Sequence, residues 1–170
     1  TGSSETITFT NGSHTVTKTL TGTGSAQAVV LTSADLTTLT DGTISVSATA
    51  TDAAGNVSSA GTSSFVLDTV APQVTAASPV NQGQTPGLKA NLVMTVDGTV
   101  TKGTGTISIY KSDGTLVQSV DVTSSSVSIS GTGSATTVTV TPISDFDLNQ
   151  RYYVTASAGS LVDSAGNAWG

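Results

Sequence analysis

The 170-residue chain has no cysteine. That excludes a disulfide framework, a thiolate metal site and a cysteine nucleophile. Histidine occurs once, as His14, which excludes His-rich zinc sites and paired-histidine chemistry. Aromatic residues make up 4% of the chain and charged residues 9%, against about 25% charge in an ordinary soluble domain. Five basic residues face eleven acidic ones, for a net charge of −6. That balance argues against nucleic acid or an anionic membrane surface as a partner. No apolar run approaches the roughly 18 residues that a membrane helix needs, so membrane insertion is not expected. The chain is rich instead in small hydroxyls: 33 Thr and 25 Ser, 58 of 170 positions. They keep a surface polar without charge, and Thr suits the half-buried pleat of a strand.

The dominant hydrophobic period is two. It runs through Thr6-Ile7-Thr8-Phe9-Thr10, Thr15-Val16-Thr17, Ile44-Ser45-Val46-Ser47-Ala48 and Ser64-Phe65-Val66-Leu67. It returns in Ile107-Ser108-Ile109, Val127-Ser128-Ile129, Val138-Thr139-Val140 and Tyr153-Val154-Thr155-Ala156. Such alternation marks strands with one face buried. Turn pairs punctuate the runs: Asn11-Gly12, Asp41-Gly42, Asp97-Gly98 and Asp113-Gly114. Only Ser33 to Leu39 and Ser144 to Asn149 read as single helical turns. Short strands at this spacing predict antiparallel β-sandwiches of the immunoglobulin type.

One internal repeat is visible. Asp52-Ala53-Ala54-Gly55-Asn56 returns as Asp163-Ser164-Ala165-Gly166-Asn167. The shift, about 110 residues, is close to the size of one immunoglobulin-like sandwich. A boundary is expected at Leu67-Asp68-Thr69-Val70-Ala71-Pro72, where a strand ends and Pro72 removes a backbone donor. The predicted domains are residues 1–70 and 71–170, joined by a linker too short to float, so that they stack end to end.

These motifs resemble the tandem bacterial Ig-like repeats of giant secreted adhesins. In the first piece the likeness lies in the D-x-A-G-N loop at 52–56 and the Asp68-Thr69-Val70-Ala71-Pro72 link. In the second it lies in the stretches 102–115 and 141–169. The resemblance implies an all-β chain of Greek-key sandwiches, located outside the cell on a bacterial surface, with neighbouring Ig-like repeats of the same chain as its partners. Against that pattern, the first sandwich lacks its N-terminal strands and the second its last strand. Two readings follow: a segment of a longer array, or sandwiches completed by strand donation from another chain, since an open sheet edge invites strand addition.

Ten of the eleven acidic residues are aspartate, and all but Asp121 fall in or beside predicted loops, the linker or the turn-like segments. A loop aspartate either turns the chain through its own backbone or ligates a hard cation such as calcium, which takes 6–8 oxygens. An Ig-like sandwich gathers its loops at two ends. This brings the exit Asp68 and the corner Asp41 of the first domain toward Asp97 and Asp163 of the second. Four carboxylates gathered there repel unless a cation lies between them, so bound calcium is the expectation. The resemblance agrees with it, because such arrays are stiffened by calcium at domain junctions. Asp52 is a further candidate ligand at the opposite end of the first domain, and Asp113, Asp145 and Asp147 at the far end of the second. The plain alternative is a turn role, above all for Asp41, Asp97 and Asp113, each of which precedes glycine. Asn56 and Asn167 are read as turn formers with left-handed backbone.

Other residues read as structural. Of Tyr152 and Tyr153, one is expected to pack and the other to hydrogen-bond a corner, a position held by Ile44 in the first domain. His14 is read as a solvated hairpin residue, and Trp169 either covers the core or is left exposed. Gly103-Thr104-Gly105 and Gly131-Thr132-Gly133 lack the helix and Lys-Ser/Thr that a phosphate loop requires. There is no G-x-S-x-G, no H-E-x-x-H, and little aromatic surface for a sugar cleft. An enzyme is therefore not expected. A structural spacer explains the composition best, with a strand-exchanging filament or surface-layer subunit and a ligand-binding adhesin module as the alternatives.

Overall fold

The computed structural model describes residues 2–79 and 89–169. It divides into two compact units, residues 1–69 and 70–170.

The first unit contains β1 (Ser4–Thr10), β2 (Thr15–Thr21), α1 (Ser33–Leu39), β3 (Gly42–Thr51) and β4 (Gly61–Leu67). The strands form one antiparallel sheet in the order β2-β1-β3-β4. Phe9 pairs with Val16 on one side and Val46 on the other, and Ile44 pairs with Phe65. The period-two pattern thus puts Ile7, Phe9, Val16, Ile44 and Leu67 on one face, which buries them with Leu39. The layer opposite this sheet is α1 together with Val29 and Leu31, not a second sheet among the described residues. The stretch before α1 has no period-two alternation to make a strand of it.

The helix begins at a capping box. Thr32 Oγ1 accepts from Asp35 N at 3.3 Å, and Thr32 N donates to Asp35 Oδ2 at 2.6 Å. It ends at Thr40, which sits at φ 56°, an outlying conformation for a β-branched residue. Asn11 fixes that corner from the β1–β2 turn: its Nδ2 donates to Leu39 O and, at 3.1 Å, to Thr40 Oγ1.

The second unit is a sandwich. Its strands are β5 (Val74–Ser78), β6 (Leu92–Val96), β7 (Val100–Lys102), β8 (Thr106–Lys111), β9 (Leu116–Asp121), β10 (Val127–Ser130), β11 (Thr136–Val140), β12 (Tyr152–Ala156), β13 (Leu161–Asp163) and β14 (Ala168–Trp169). They form the sheets β10-β11-β6-β5, β12-β8-β9 and β14-β13-β7. One core draws side chains from all three: Met94, Val96, Val138 and Val140 from the first, Ile107 and Val120 from the second, Val100 and Leu161 from the third. Where β7 passes under the β12–β13 connection, Gly103 and Thr104 donate to Ser160 O and Gly159 O, each at 2.9 Å. A Cβ on Gly103 would lie 2.0 Å from Gly159 O, so this close approach requires glycine.

Two local expectations are corrected. Residues 144–149 form bends and a turn, not a helical turn. The Asp147 amide, which a helix would use internally, donates instead to Tyr152 Oη at 2.7 Å. Of the Asp-Gly pairs, Asp113-Gly114 is a hairpin turn between β8 and β9. Asp97-Gly98 connects β6 to β7, which lie in different sheets, and Asp41-Gly42 leads from α1 into β3.

Candidate functional site: the loop carboxylates

The two copies of the repeated loop close in the same way. Asp52 Oδ1 accepts from Ala54 N and Asn56 N, both at 2.9 Å, and its Oδ2 accepts from Asn56 Nδ2 at 2.8 Å. Asp163 Oδ1 accepts from Ala165 N at 2.9 Å and Asn167 N at 2.8 Å, and its Oδ2 from Asn167 Nδ2 at 2.9 Å. In each copy the aspartate N–H donates to the asparagine carbonyl, at 3.0 and 3.1 Å. The left-handed residue is the glycine, Gly55 at φ 88° and Gly166 at φ 95°. This corrects the reading of Asn56 and Asn167: neither takes the left-handed backbone, and both donate their amides to the carboxylate. The motif is therefore a clamp in which Asp collects three donors of its own loop, Gly permits the turn and Asn locks it.

The electrostatics agree. Asp52 is held below the ordinary carboxylate range by the Asn56 amide first and then by backbone N–H groups. For Asp163 burial is the largest single influence and pushes upward. The donors from Asn167, Ala165 and Gly166 together outweigh it, so its pKa also ends below the ordinary carboxylate range.

The remaining candidates are placed as follows. Asp41 Oδ1 accepts from Thr69 N at 3.0 Å and Thr69 Oγ1 at 2.8 Å. This ties the start of β3 to the residue after Asp68, at the same end of the unit as Asn11. Asp97 Oδ1 accepts from Gln73 N at 2.7 Å, and Asp97 N donates to Gln73 O at 3.1 Å. Asp163 pairs with Val100, three residues beyond Asp97, so these two share one end of the second unit. Asp113 Oδ1 accepts from Thr115 N at 2.9 Å. Asp145 pairs with Lys89 at 3.4 Å and Asp147 with Lys111 at 2.6 Å. Asp35, singled out by no sequence argument, gathers Lys18 Nζ, Thr32 N and Thr32 Oγ1 on its Oδ2. With Lys18 as the largest cause, its pKa is held down to about 2.

As calcium ligands these groups fit in part. Among the described residues no three His, Asp or Glu side chains come together. In Asp52 and Asp163 one oxygen is saturated by two N–H groups and the other carries one donor, leaving at most a monodentate contact. Asp41 Oδ2 and Asp97 Oδ2 accept no hydrogen bond from the described residues.

The tyrosines do not divide the work as expected, because Tyr152 takes both parts. Tyr152 hydrogen-bonds the corner at Asp147 and packs on Phe146 with ring centroids 4.8 Å apart, while Tyr153 stacks on Tyr110 at 5.2 Å. His14 is exposed in the β1–β2 turn. One feature escaped sequence reasoning: an apolar cleft of about 230 Å³ in the second unit, between β5 and β12, with Trp169 on its rim.

Comparison with known proteins places this architecture. The bacterial Ig-like domain family matches residues 68–170. The chain belongs to that family, whose members are structural modules and not enzymes. No curated protein matches. Among solved structures the chain is similar to "Crystal structure of tetra-tandem repeat in extending region of large adhesion protein", at 22% identity and a TM-score of 0.34. That match covers 98% of this chain and 39% of the other, so the chain spans well under half of that structure's length.

Proposed function

We propose that this chain is an extender segment of a large bacterial adhesin, displayed outside the cell, in which Ig-like modules follow one another as spacers. The observation that carries this reading is the bacterial Ig-like module at residues 68–170, preceded by a β unit that closes its own Asp-to-Asn loop with the same hydrogen bonds. A spacer must fold repeatedly and stay apart from its neighbours, and a hydroxyl-rich surface of low charge suits that task. In this reading calcium held by loop carboxylates at module ends stiffens the array. The ligands in this reading are Asp68, Asp163, Asp41 and Asp97, with Asp52 in the same part at the other end of the first unit. Extracellular modules hold calcium at about 10⁻⁴–10⁻³ M.

The test of the spacer role has two arms. Antibodies raised against the chain should label intact cells of the bacterium that produces it. In sedimentation the chain should remain one monomeric species over a hundredfold concentration range. Labelling only after lysis overturns the surface assignment. Concentration-dependent polymers overturn the spacer in favour of a strand-exchanging subunit.

A further inference from the structure

We propose that Asn11-Gly12 is a covalent modification site that folding keeps closed: Asn11 loses its amide nitrogen from the opened first unit, and the product no longer staples the helix corner. It is the only Asn-Gly pair in the chain. The reaction needs no enzyme and no co-reactant but water. The Gly12 nitrogen attacks Asn11 Cγ, the bond from Cγ to Nδ2 breaks, and the Gly12 proton leaves with the amide nitrogen as ammonia. Water then opens the five-membered imide at one of its two carbonyls. One opening gives aspartate, and the other gives isoaspartate, with the main chain running through the side-chain carbon. Nothing is oxidised or reduced. Glycine suits the attack because it carries no side chain to obstruct the nitrogen.

In the folded chain every reacting group is engaged. Asn11 Oδ1 accepts from Ser13 N at 2.9 Å and His14 N at 2.7 Å. The Gly12 amide donates to Thr10 Oγ1 at 3.0 Å. Asn11 Nδ2 donates to Leu39 O and to Thr40 Oγ1, and lies 3.4 Å from His14 Nδ1. Closing a five-membered ring on Gly12 N turns the side chain about its Cα–Cβ bond. That turn takes Nδ2 away from Leu39 and Thr40, which stand at the far end of α1. Attack therefore waits until the β1–β2 turn parts from the helix corner. The observed rate is then the open fraction multiplied by the rate of the open chain. Asn56 and Asn167 are clamped in their own loops, but Val57 and Ala168 follow them, and those side chains obstruct attack even in an open chain.

Conversion removes more than one hydrogen bond. The product places an oxygen where the amide nitrogen stood. The Thr40 hydroxyl and the His14 ring can still offer a hydrogen to it, whereas Leu39 O only accepts. Leu39 is fully buried in the first core, and Thr40 keeps its φ of 56° beside the same amide. Isoaspartate also adds a backbone carbon to a turn closed by Asn11 N donating to His14 O at 3.2 Å, next to the pair Thr10 and Thr15. A converted unit thus opens more readily than before, and the step does not reverse.

The full chain is incubated in mildly alkaline buffer, folded and in concentrated guanidinium chloride. The peptide spanning residue 11 is followed by its amide-to-acid mass gain and by isoaspartate detection. Asn11 should convert at least tenfold faster in denaturant, since only the open fraction reacts in the folded chain, while Asn56 stays intact over the same period. In buffer alone Ile44→Ala, which opens the first unit, should approach the denatured rate. In denaturant, where backbone strain no longer counts, Gly12→Ala should slow conversion at least tenfold. The converted chain, separated by its added negative charge, and Asn11→Asp should both melt lower in the first unit and unchanged in the second. Three results overturn the proposal. Equal rates in the folded and opened chains would mean that folding does not close the site. No conversion in denaturant would mean that there is no site. An unchanged first-unit transition in the converted chain would mean that the corner does not depend on the amide.

Discussion

In the second unit, core side chains from three sheets close on one another, and Ile107, Val122, Val138, Val140 and Leu161 keep no exposed surface. In the first unit six side chains form the core, and four of them, Ile7, Phe9, Val16 and Leu67, keep 7–8%. Both units grow from the same period-two, hydroxyl-rich sequence. The difference lies in what faces the sheet: other strands in the second unit, a seven-residue helix and two loop side chains in the first. Alternation alone makes a sheet, and the depth of burial depends on the opposite layer. The first unit compensates with polar fasteners: the Thr32 capping box, the Lys18–Asp35 pair at 2.6 Å and the Asn11 staple.

Core truncations give the largest expected effects. Ile44→Ala and Ile107→Ala each remove a fully buried side chain, at a cost of about 2–5 kcal/mol. In calorimetry Ile44→Ala should abolish folding of the first unit and leave the transition of the second in place, while Ile107→Ala should lower the second unit's transition without abolishing it. A single transition lost in both variants would break the comparison and make the units one cooperative body.

The clamps come next. Asp163→Ala deletes three hydrogen bonds from a half-buried carboxylate within the β13 ladder, and Asp52→Ala deletes the matching three from an exposed loop. Urea denaturation should show a loss of about 2 kcal/mol for the first and a clearly smaller loss for the second. Equal losses would mean that the surroundings of the motif do not matter. Tyr152→Phe removes the acceptor for the Asp147 amide and should cost the second unit about 1 kcal/mol in the same assay. The first unit, with Ile44 in that place, has no counterpart to lose.

How far these features could be read in advance depended on their range. Ile7-Thr8-Phe9 and Val138-Thr139-Val140 declare strands because each residue's face follows from its neighbours. The Asp52 and Asp163 loops were visible as a repeat, and their hydrogen bonds span only four residues. Asparagine tolerates the left-handed region, which suggests that Asn56 and Asn167 take it, yet the adjacent glycine takes it at lower cost. Residues 144–149 carry a helix-like pattern but do not form a helical turn, because the Asp147 amide is taken by the hydroxyl of Tyr152, which arrives from the following strand. Asp35 and the cleft beside Val154 depend on which elements lie opposite, and no local pattern carries that information.

Acid gives the smallest effect. The pKa of Asp35 is lowered from 3.8 to about 2 in the folded chain. Its contribution is therefore fully present above about pH 4 and is lost as pH falls toward 2. Melting of the first unit between pH 5 and pH 2 should show that decline, and Lys18→Met, which removes the largest cause, should flatten it. An unchanged slope in Lys18→Met would mean that the Thr32 donors alone hold the carboxylate charged.

The calcium account is tested most directly by calorimetric titration of the chelator-treated full chain. It predicts a saturable heat with a dissociation constant of about 10⁻⁴–10⁻³ M and a rise in melting temperature, both lost in Asp41→Asn with Asp97→Asn. No heat and no change in melting up to about ten times that concentration would contradict it, and would leave these carboxylates as fasteners of their own loops.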